Sequence, residues 1–168
     1  TPLSSPLTLE MERGSKIVLS GANGIGKSTL LKSILGLIPS LSGSVALGDY
    51  LEIGYYEQEM SVMPETTCIE EIWNEFPGYT QYEVRSALAK CGLTTKHIES
   101  KVKVLSGGEQ SKVRLCKILN RESNILVLDE PTNHLDVDAK EALAKALKEY
   151  KGSILMVCHE PDFYADFA

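Results

Sequence analysis

The chain has 168 residues, of which 43% are apolar and 24% are charged, and its formal net charge is −6. This length and composition are those of one globular domain with a buried core, and the acidic balance argues against a surface that holds nucleic acid by charge alone. The apolar runs are far shorter than a membrane span, and no export signal opens the chain. We therefore expect a soluble domain in the cytoplasm, with no membrane partner.

Apolar patterning, taken in chain order, predicts strands that alternate with helices at both ends of the chain. The predicted strands comprise residues 16–20, 44–47, 52–57, 124–128 and 153–158. The predicted helices between them comprise residues 27–37, 106–120 and 137–150. Because strands that alternate with helices usually run parallel and are covered on both faces, this order predicts an α/β fold with a mostly parallel sheet flanked by helices.

A small helical lobe is predicted between these two α/β parts, over approximately residues 66–104. Thr67 with Glu70, and Thr80 with Glu83, have the spacing of a capping box. In that motif the threonine accepts a hydrogen bond from the third helical amide, and the glutamate reaches back to the amide of the threonine. Each pair predicts the start of a helix. We expect residues 1–168 to form a single domain that contains this lobe.

The four cysteines are widely spaced and include no CxxC pair; they are Cys68, Cys91, Cys116 and Cys158. Each lies in an apolar helix or strand pattern. This arrangement predicts buried free thiols in a reducing compartment rather than a disulfide framework or a metal site.

A glycine-rich segment joins the first predicted strand to the first helix and matches the phosphate-loop pattern. The candidate binding residues of this segment are Gly21, Ala22, Asn23, Gly24, Ile25, Gly26, Lys27, Ser28 and Thr29. Glycines let backbone amides turn toward a phosphate without Cβ clashes, and the helix start adds unsatisfied amides and a positive dipole end. Lys27 can reach the β and γ phosphates, and the Ser28 hydroxyl can bind Mg²⁺. A plain strand-to-helix turn is the alternative, but the motif and its context favour ATP and Mg²⁺ as ligands.

Asp129 and Glu130 end a later apolar strand, at the sheet edge where parallel folds bind their ligands. An aspartate there can orient Mg²⁺, and the adjacent glutamate can polarise an attacking water. Alone, such a pair would be explained by a turn or a helix cap. Together with the phosphate loop, it predicts ATP hydrolysis.

Ser106, Gly107, Gly108 and Glu109 begin another predicted helix, and they form a second anion-binding helix start. Taken alone, the segment would be explained by a helix-capping turn. The domain already has one phosphate site, however, so a second anion-binding helix start favours the binding of a second nucleotide. The order of the three motifs resembles the ABC ATPases. In that family the segment Leu105–Glu109 completes the ATP site of an opposing domain, which implies a second ABC ATPase domain as partner.

The ABC resemblance also implies roles for residues that the patterns alone do not single out. Gln58 follows a predicted strand, where the family places a glutamine that contacts Mg²⁺ and water. His159 follows the last strand and matches the histidine that senses the γ phosphate. The loop 133–136 matches the segment that touches the opposite domain. The resemblance thus implies that Glu130, His159 and Gln58 are catalytic residues. It also implies that the metal is bound by Ser28, Gln58 and Asp129.

The segment from Glu130 to Asp136 reads EPTNHLD and resembles the ABC-F branch. Members of this branch carry two ATPase domains on one chain, and many act on the ribosome as translation factors or protect it from antibiotics. Domains of membrane transporters more often have serine and alanine where this chain has Asn133 and His134. A transporter nucleotide-binding subunit remains the alternative. A non-hydrolysing ATP-gated module is a third possibility, which Glu130 disfavours.

Three departures from the family pattern bear on what this chain contains. Residues 1–15 have no aromatic residue that could stack on adenine, which leaves the selectivity for the base open. The chain stops soon after His159, and the helical lobe is too short for the protruding arm of a first ABC-F domain. We therefore expect the second ATPase domain of a longer protein, trimmed at both ends.

Overall fold

The computed structural model describes residues 7–21, 26–57 and 65–167, and at its centre is a four-stranded sheet. The strands are β1 (Lys16–Leu19), β2 (Ile53–Tyr56), β3 (Ile125–Asp129) and β4 (Ser153–Val157). Their spatial order is β1-β4-β3-β2, and all three neighbouring pairs are parallel. The predicted parallel sheet is confirmed.

Helices connect the strands and cover the sheet on both faces. They are α1 (Lys27–Ile34), α2 (Cys68–Glu75), α3 (Gln81–Lys90), α4 (Thr95–Glu99), α5 (Gly107–Asn120), α6 (Val137–Glu149) and α7 (Pro161–Tyr164), with a 3₁₀ turn at Val102–Val104. Among the described residues, no helix has both the length and the apolar character that crossing a membrane requires.

Successive residues of the strands contribute to two different cores, because side chains of a strand alternate between the faces of a sheet. On β3, Leu126 and Leu128 pack with residues of α5, α6 and α7. Val127, which lies between them, packs with Leu31 of α1. The continuous apolar run of this strand therefore reflects burial on both faces.

The segment between β2 and α5 packs around a third core of its own. α2, α3, α4 and the 3₁₀ turn supply most of its residues, including Ile72 and Leu88, and α5 supplies Val113 and Cys116. Lys117 of α5 and Arg121, which directly follows this helix, also form ion pairs with two glutamates of α2. The region predicted as a helical lobe thus consists of helices that pack on one another and on α5.

The two predicted capping boxes are confirmed at the starts of α2 and α3. A third one opens α4, where Thr94 and His97 exchange the same two hydrogen bonds. The sequence rule requires glutamate or glutamine at the third position and so did not anticipate this histidine. His97 is therefore a helix-capping residue.

Three expectations require correction. The strand predicted at 44–47 is wrong, because these residues have no regular structure, and Val45 and Leu47 are half exposed, without a neighbouring strand. The helix predicted over 27–37 ends at Ile34, shortly before Gly36, whose φ of 74° stops it. Cys91 is only partly buried, whereas the other three free cysteines are buried as predicted.

β3 is one of the two central strands of the sheet, so truncation of its buried apolar side chains should be costly. Leu128 is fully buried in the core formed with α5 and α6. We expect Leu128→Ala to lower the free energy of unfolding by about 2–5 kcal/mol, because a cavity adds to the lost burial. Leu41 is 74% exposed, so the control Leu41→Ala should stay within about 0.5 kcal/mol of the parent. Urea unfolding measures both; equal losses would contradict the placement of Leu128.

Candidate active site

The site lies at the carboxyl edge of the sheet, where parallel strands deliver their following loops to one place. Gly21 lies just beyond β1, Asp129 and Glu130 lie at the end of β3, and His159 follows β4. These three strands are adjacent in the sheet. The structure therefore brings together the first motif, the acidic pair and the histidine, which are far apart in the sequence.

The described residues of the phosphate loop are Gly21 and those from Gly26 onward, which begin α1. Gly26 precedes the helix with a φ of 90°, a left-handed conformation that suits glycine, and no side chain caps the helix. Within the described part of the chain, the amides of the first turn, which includes Lys27, Ser28 and Thr29, have no side-chain cap, and they could therefore bind an anion. Ala22, Asn23, Gly24 and Ile25 lie outside the described residues.

The ammonium group of Lys27 points into this edge rather than into solvent. Its Nζ donates to the carbonyl oxygen of Gly21 and lies 3.8 Å from Glu130 Oε1. The side chains of both charged residues are more than nine-tenths buried. A buried cation that is held by a carbonyl and a carboxylate is well placed to bind phosphate oxygens.

Ser28 and Asp129 meet where a metal ion would be needed. The Ser28 hydroxyl donates to Asp129 Oδ1 over 3.0 Å, and Asp129 is only 2% exposed. Burial raises the pKa of Asp129, and the neighbouring charge of Glu130 adds to this, although the Ser28 hydrogen bond opposes it. A hydroxyl and a carboxylate are the hard oxygen donors that Mg²⁺ takes, with phosphate and water oxygens completing its shell. The residues present therefore fit the metal.

Glu130 has an unusual backbone conformation, since a φ of 46° is rarely adopted by residues other than glycine. Its N–H donates to the carbonyl of Val157 on β4 over 2.9 Å. Its carboxylate lies 2.8 Å from His159 Nδ1. Backbone strain of this kind persists where surrounding contacts enforce it, and it concentrates at functional sites. The strain here directs the carboxylate toward Lys27 and His159.

A polar network behind His159 was missed by sequence reasoning. Thr132 donates to Glu160 Oε1 over 2.8 Å, and Lys140 Nζ bonds Glu160 Oε2 over 2.6 Å. Burial alone would raise the pKa of Glu160, but these two hydrogen bonds hold it below its usual range. The network ties the loop after β4 to α6 and to the loop after β3. Only the position of Glu160 beside His159 could have hinted at it.

The segment Ser106–Glu109 begins α5 as predicted. The Ser106 side chain accepts from the amide of Glu109 over 3.3 Å and so caps this helix. Gly108 packs against the loop 133–136, and a Cβ at this glycine would lie 2.5 Å from the carbonyl oxygen of His134. Asn133 of the same loop donates its N–H to the carbonyl of Glu130. The loop thus connects the start of α5 to Glu130.

Gln58, the third residue assigned a catalytic role, lies outside the described residues. Its predecessor Glu57 is described and forms an ion pair with Lys32 of α1 over 3.1 Å. The carbonyl of Glu57 also accepts from Arg114 of α5, whose guanidinium lies 4.6 Å from the ring centre of Tyr56. The end of β2 is therefore anchored on both faces of the sheet.

Comparison with known proteins identifies this arrangement. The sequence profile of the ABC transporter family matches residues 4–133 of the chain. The chain belongs to the ABC transporter family. The chain is accordingly an ABC ATP-binding domain.

Relatives place the domain within the family. It is 70% identical, over its whole length, to the ABC transporter ATP-binding protein YfmM of Bacillus subtilis, of which it covers 32%. It is 38% identical over 96% of its length to ABC transporter F family member 2 of Arabidopsis thaliana, of which it covers 24%. The predicted ABC-F type of ATP-binding domain is confirmed. The chain spans only a quarter to a third of these relatives.

The fold agrees with a solved ABC structure. The archaeal ribosome recycling factor aABCE1, solved in complex with an archaeal ribosomal stalk protein, is 26% identical and superposes with a TM-score of 0.80. The match covers 94% of this chain and 31% of that one. The predicted ABC-type P-loop fold is confirmed.

Two neighbouring glycines at the start of α5 provide a matched test of the contact with the loop 133–136. Gly107 has open space where its Cβ would be, whereas a Cβ on Gly108 would collide with the His134 carbonyl. Alanine in a helix is favoured over glycine by about 0.5–1 kcal/mol. We therefore expect Gly107→Ala to keep or raise the melting temperature of the ligand-free protein, and Gly108→Ala to lower it. Equal melting temperatures would contradict the close contact.

Proposed function

We propose that this chain is an ATPase domain of an ABC-F protein, which binds Mg²⁺ and ATP, pairs with a second ABC ATPase domain, and hydrolyses ATP to ADP and phosphate. The observation that carries the proposal is the buried Glu130 carboxylate, held between Lys27 and His159 beside the Ser28–Asp129 pair. This combination places a general base, a cation that can bind phosphate and oxygen ligands for a metal at one edge of the sheet.

The proposed roles of most side chains follow from their contacts, whereas the role of Gln58 and the γ-phosphate sensing by His159 follow from the resemblance to the ABC family. Lys27 and the first-turn amides of α1 neutralise phosphate charge, which is the main requirement of phosphoryl transfer. Glu130 accepts a proton from the attacking water, and His159 orients the Glu130 carboxylate and senses the γ phosphate. Ser28 and Asp129 would hold Mg²⁺, which would balance charge on the β and γ phosphates. Gln58 is proposed to contact the metal and the water.

The second domain is proposed because the start of α5 provides another set of helix amides. Ser106 and Gly107 are exposed, as a surface that completes a partner's site must be. The segment Ser106–Glu109 would bind the ATP held by the opposing domain, and the loop 133–136 would lie against that domain. The partner is another domain of the same longer protein, or a second copy of this chain.

We further propose that the whole protein acts in the cytoplasm on the ribosome, as a translation factor or in protection from antibiotics. Support comes from the ABC-F relatives and from the structural match to an archaeal ribosome recycling factor. This domain would be the second ATPase domain of that protein. A nucleotide-binding subunit of a membrane transporter is the alternative, because the family profile that matches the chain includes transporters.

Glu130→Gln tests the proposed base. The amide keeps the size of the side chain but cannot accept the proton, so we expect ATP hydrolysis to fall by a factor of about 10²–10⁴. Lys27, Ser28 and Ser106 remain, so ATP should still bind and hold two domains together as a dimer. Phosphate release and light scattering with ATP measure the two effects. The control is Glu149→Gln at the far end of α6, which should hydrolyse like the parent.

The same substitution in the full-length protein tests the proposed partner. Trapped in the ATP-bound state, the variant should pellet with ribosomes in a larger fraction than the parent when ATP is present. Sedimentation through a sucrose cushion measures that fraction. Association with membranes instead of ribosomes would favour the transporter alternative, and undiminished hydrolysis would show that Glu130 is not the base.

A further inference from the structure

The hydroxyl group of Tyr55 is a buried polar atom that the fold does not explain. Tyr55 lies in β2, and its hydroxyl oxygen is buried without a hydrogen-bond partner among the described residues. Native proteins leave few such groups unpaired, because burial without a partner costs the full desolvation of the group. An unpaired hydroxyl near a site is therefore a reason to look for a ligand that it serves.

The position of Tyr55 in the sheet places its side chain on the metal side. Tyr55 is aligned with Val127 of β3 in the parallel register, and both pack on the α1 face of the sheet. Since side chains alternate along a strand, Asp129 lies on this same face, two residues beyond Val127. The helix that begins with Lys27 and Ser28 covers this face, because its Leu31 packs against Val127.

The electrostatic surroundings keep this hydroxyl protonated. Burial raises the pKa of Tyr55 to about 12, and the negative charges of Glu57 and Asp129 contribute to the increase. The group is therefore a hydrogen-bond donor directed into an acidic environment. The Asp129 Oδ1 atom already accepts from Ser28, and neither carboxylate is bonded to the tyrosine. Among the described residues, the donor therefore has no acceptor oxygen.

A bound metal ion with its hydration shell would supply such oxygens. Mg²⁺ usually keeps several of its waters and is held by few protein ligands, and outer hydrogen bonds to those waters orient them. We propose that Tyr55 is a further positioning residue of the metal site, whose hydroxyl donates a hydrogen bond to a water of the Mg²⁺ shell beside Asp129. The inference rests on the proposed binding of Mg²⁺ and ATP.

Tyr150 provides the matched control. Its hydroxyl is also partly buried, but it donates to the Ser123 carbonyl over 2.9 Å and lies 3.1 Å from the Ser123 hydroxyl. Removal of an internally bonded hydroxyl should destabilise the ligand-free protein, whereas removal of an unpaired one should not. The two tyrosine-to-phenylalanine variants are therefore expected to affect the stability of the ligand-free protein differently: Tyr150→Phe should lower it, and Tyr55→Phe should not.

The experiment compares the parent, Tyr55→Phe and Tyr150→Phe in two measurements. The first is the melting temperature without ligand, in EDTA. The second is the gain in affinity for a non-hydrolysable ATP analogue when Mg²⁺ replaces EDTA, measured by calorimetric titration. We expect Tyr55→Phe to melt at or above the parent's temperature. Its increase in affinity on addition of Mg²⁺ should be about three- to tenfold smaller than the parent's, which corresponds to the loss of one hydrogen bond. Tyr150→Phe should melt lower and keep the full gain.

The outcomes separate this inference from the function on which it rests. If Tyr55→Phe melted lower or failed to fold, its hydroxyl would be bonded within the protein, and the inference would be overturned. An unchanged Mg²⁺ gain in a stable Tyr55→Phe variant would overturn it as well, with the proposed function intact. If the parent protein itself bound no nucleotide, or gained nothing from Mg²⁺, the proposed function would fail and the inference with it.

Discussion

The Glu130 carboxylate, buried at the carboxyl edge of the sheet, depends on contacts from two separate segments, the end of β4 and the start of α1. Its N–H is bonded to β4 through the Val157 carbonyl, its carboxylate is paired with His159, and Lys27 lies close by on α1. An unpaired buried carboxylate would be costly. The site therefore exists only when β1, β3 and β4 are aligned, since Glu130 follows β3, two of its partners lie at the end of β4, and Lys27 lies on the helix after β1.

Acidic side chains are concentrated at the same edge, where the described residues include Asp129, Glu130 and Glu57 with Lys27 and Lys32 as their ammonium partners. Burial leaves the pKa of Asp129 raised, and Glu57 lies at the end of the neighbouring strand, where Lys32 pairs with it. Such an arrangement is less stable alone than an apolar edge would be. The proposed Mg²⁺ would bring positive charge to this edge, and its water molecules would donate hydrogen bonds to the carboxylates.

α5 packs both against the sheet and against the helical segment that precedes it. Leu115 and Ile118 belong to the core on the sheet, whereas Val113 and Cys116 belong to the core of the helical segment before it. Its first turn contacts the loop that follows Glu130, through Gly108 and His134. Lys112 extends the connection by pairing with Asp136, which caps α6. Glu130 is therefore connected to Ser106 and the start of α5 through a few packed residues.

Sequence by itself determined the features that consecutive residues encode. The parallel α/β order, the start of α1 at the phosphate loop, the acidic end of β3 and the threonine caps all follow from local patterns, and the structure has them. The strand expected at 44–47 failed because strand formation needs a partner, which a pattern does not provide. Only the tertiary structure decided that Glu160 pairs with Lys140 and that the Tyr55 hydroxyl is left unbonded among the described residues. Both facts depend on how segments distant in the chain are aligned, and that alignment is set by packing of the whole core rather than by any short stretch of residues.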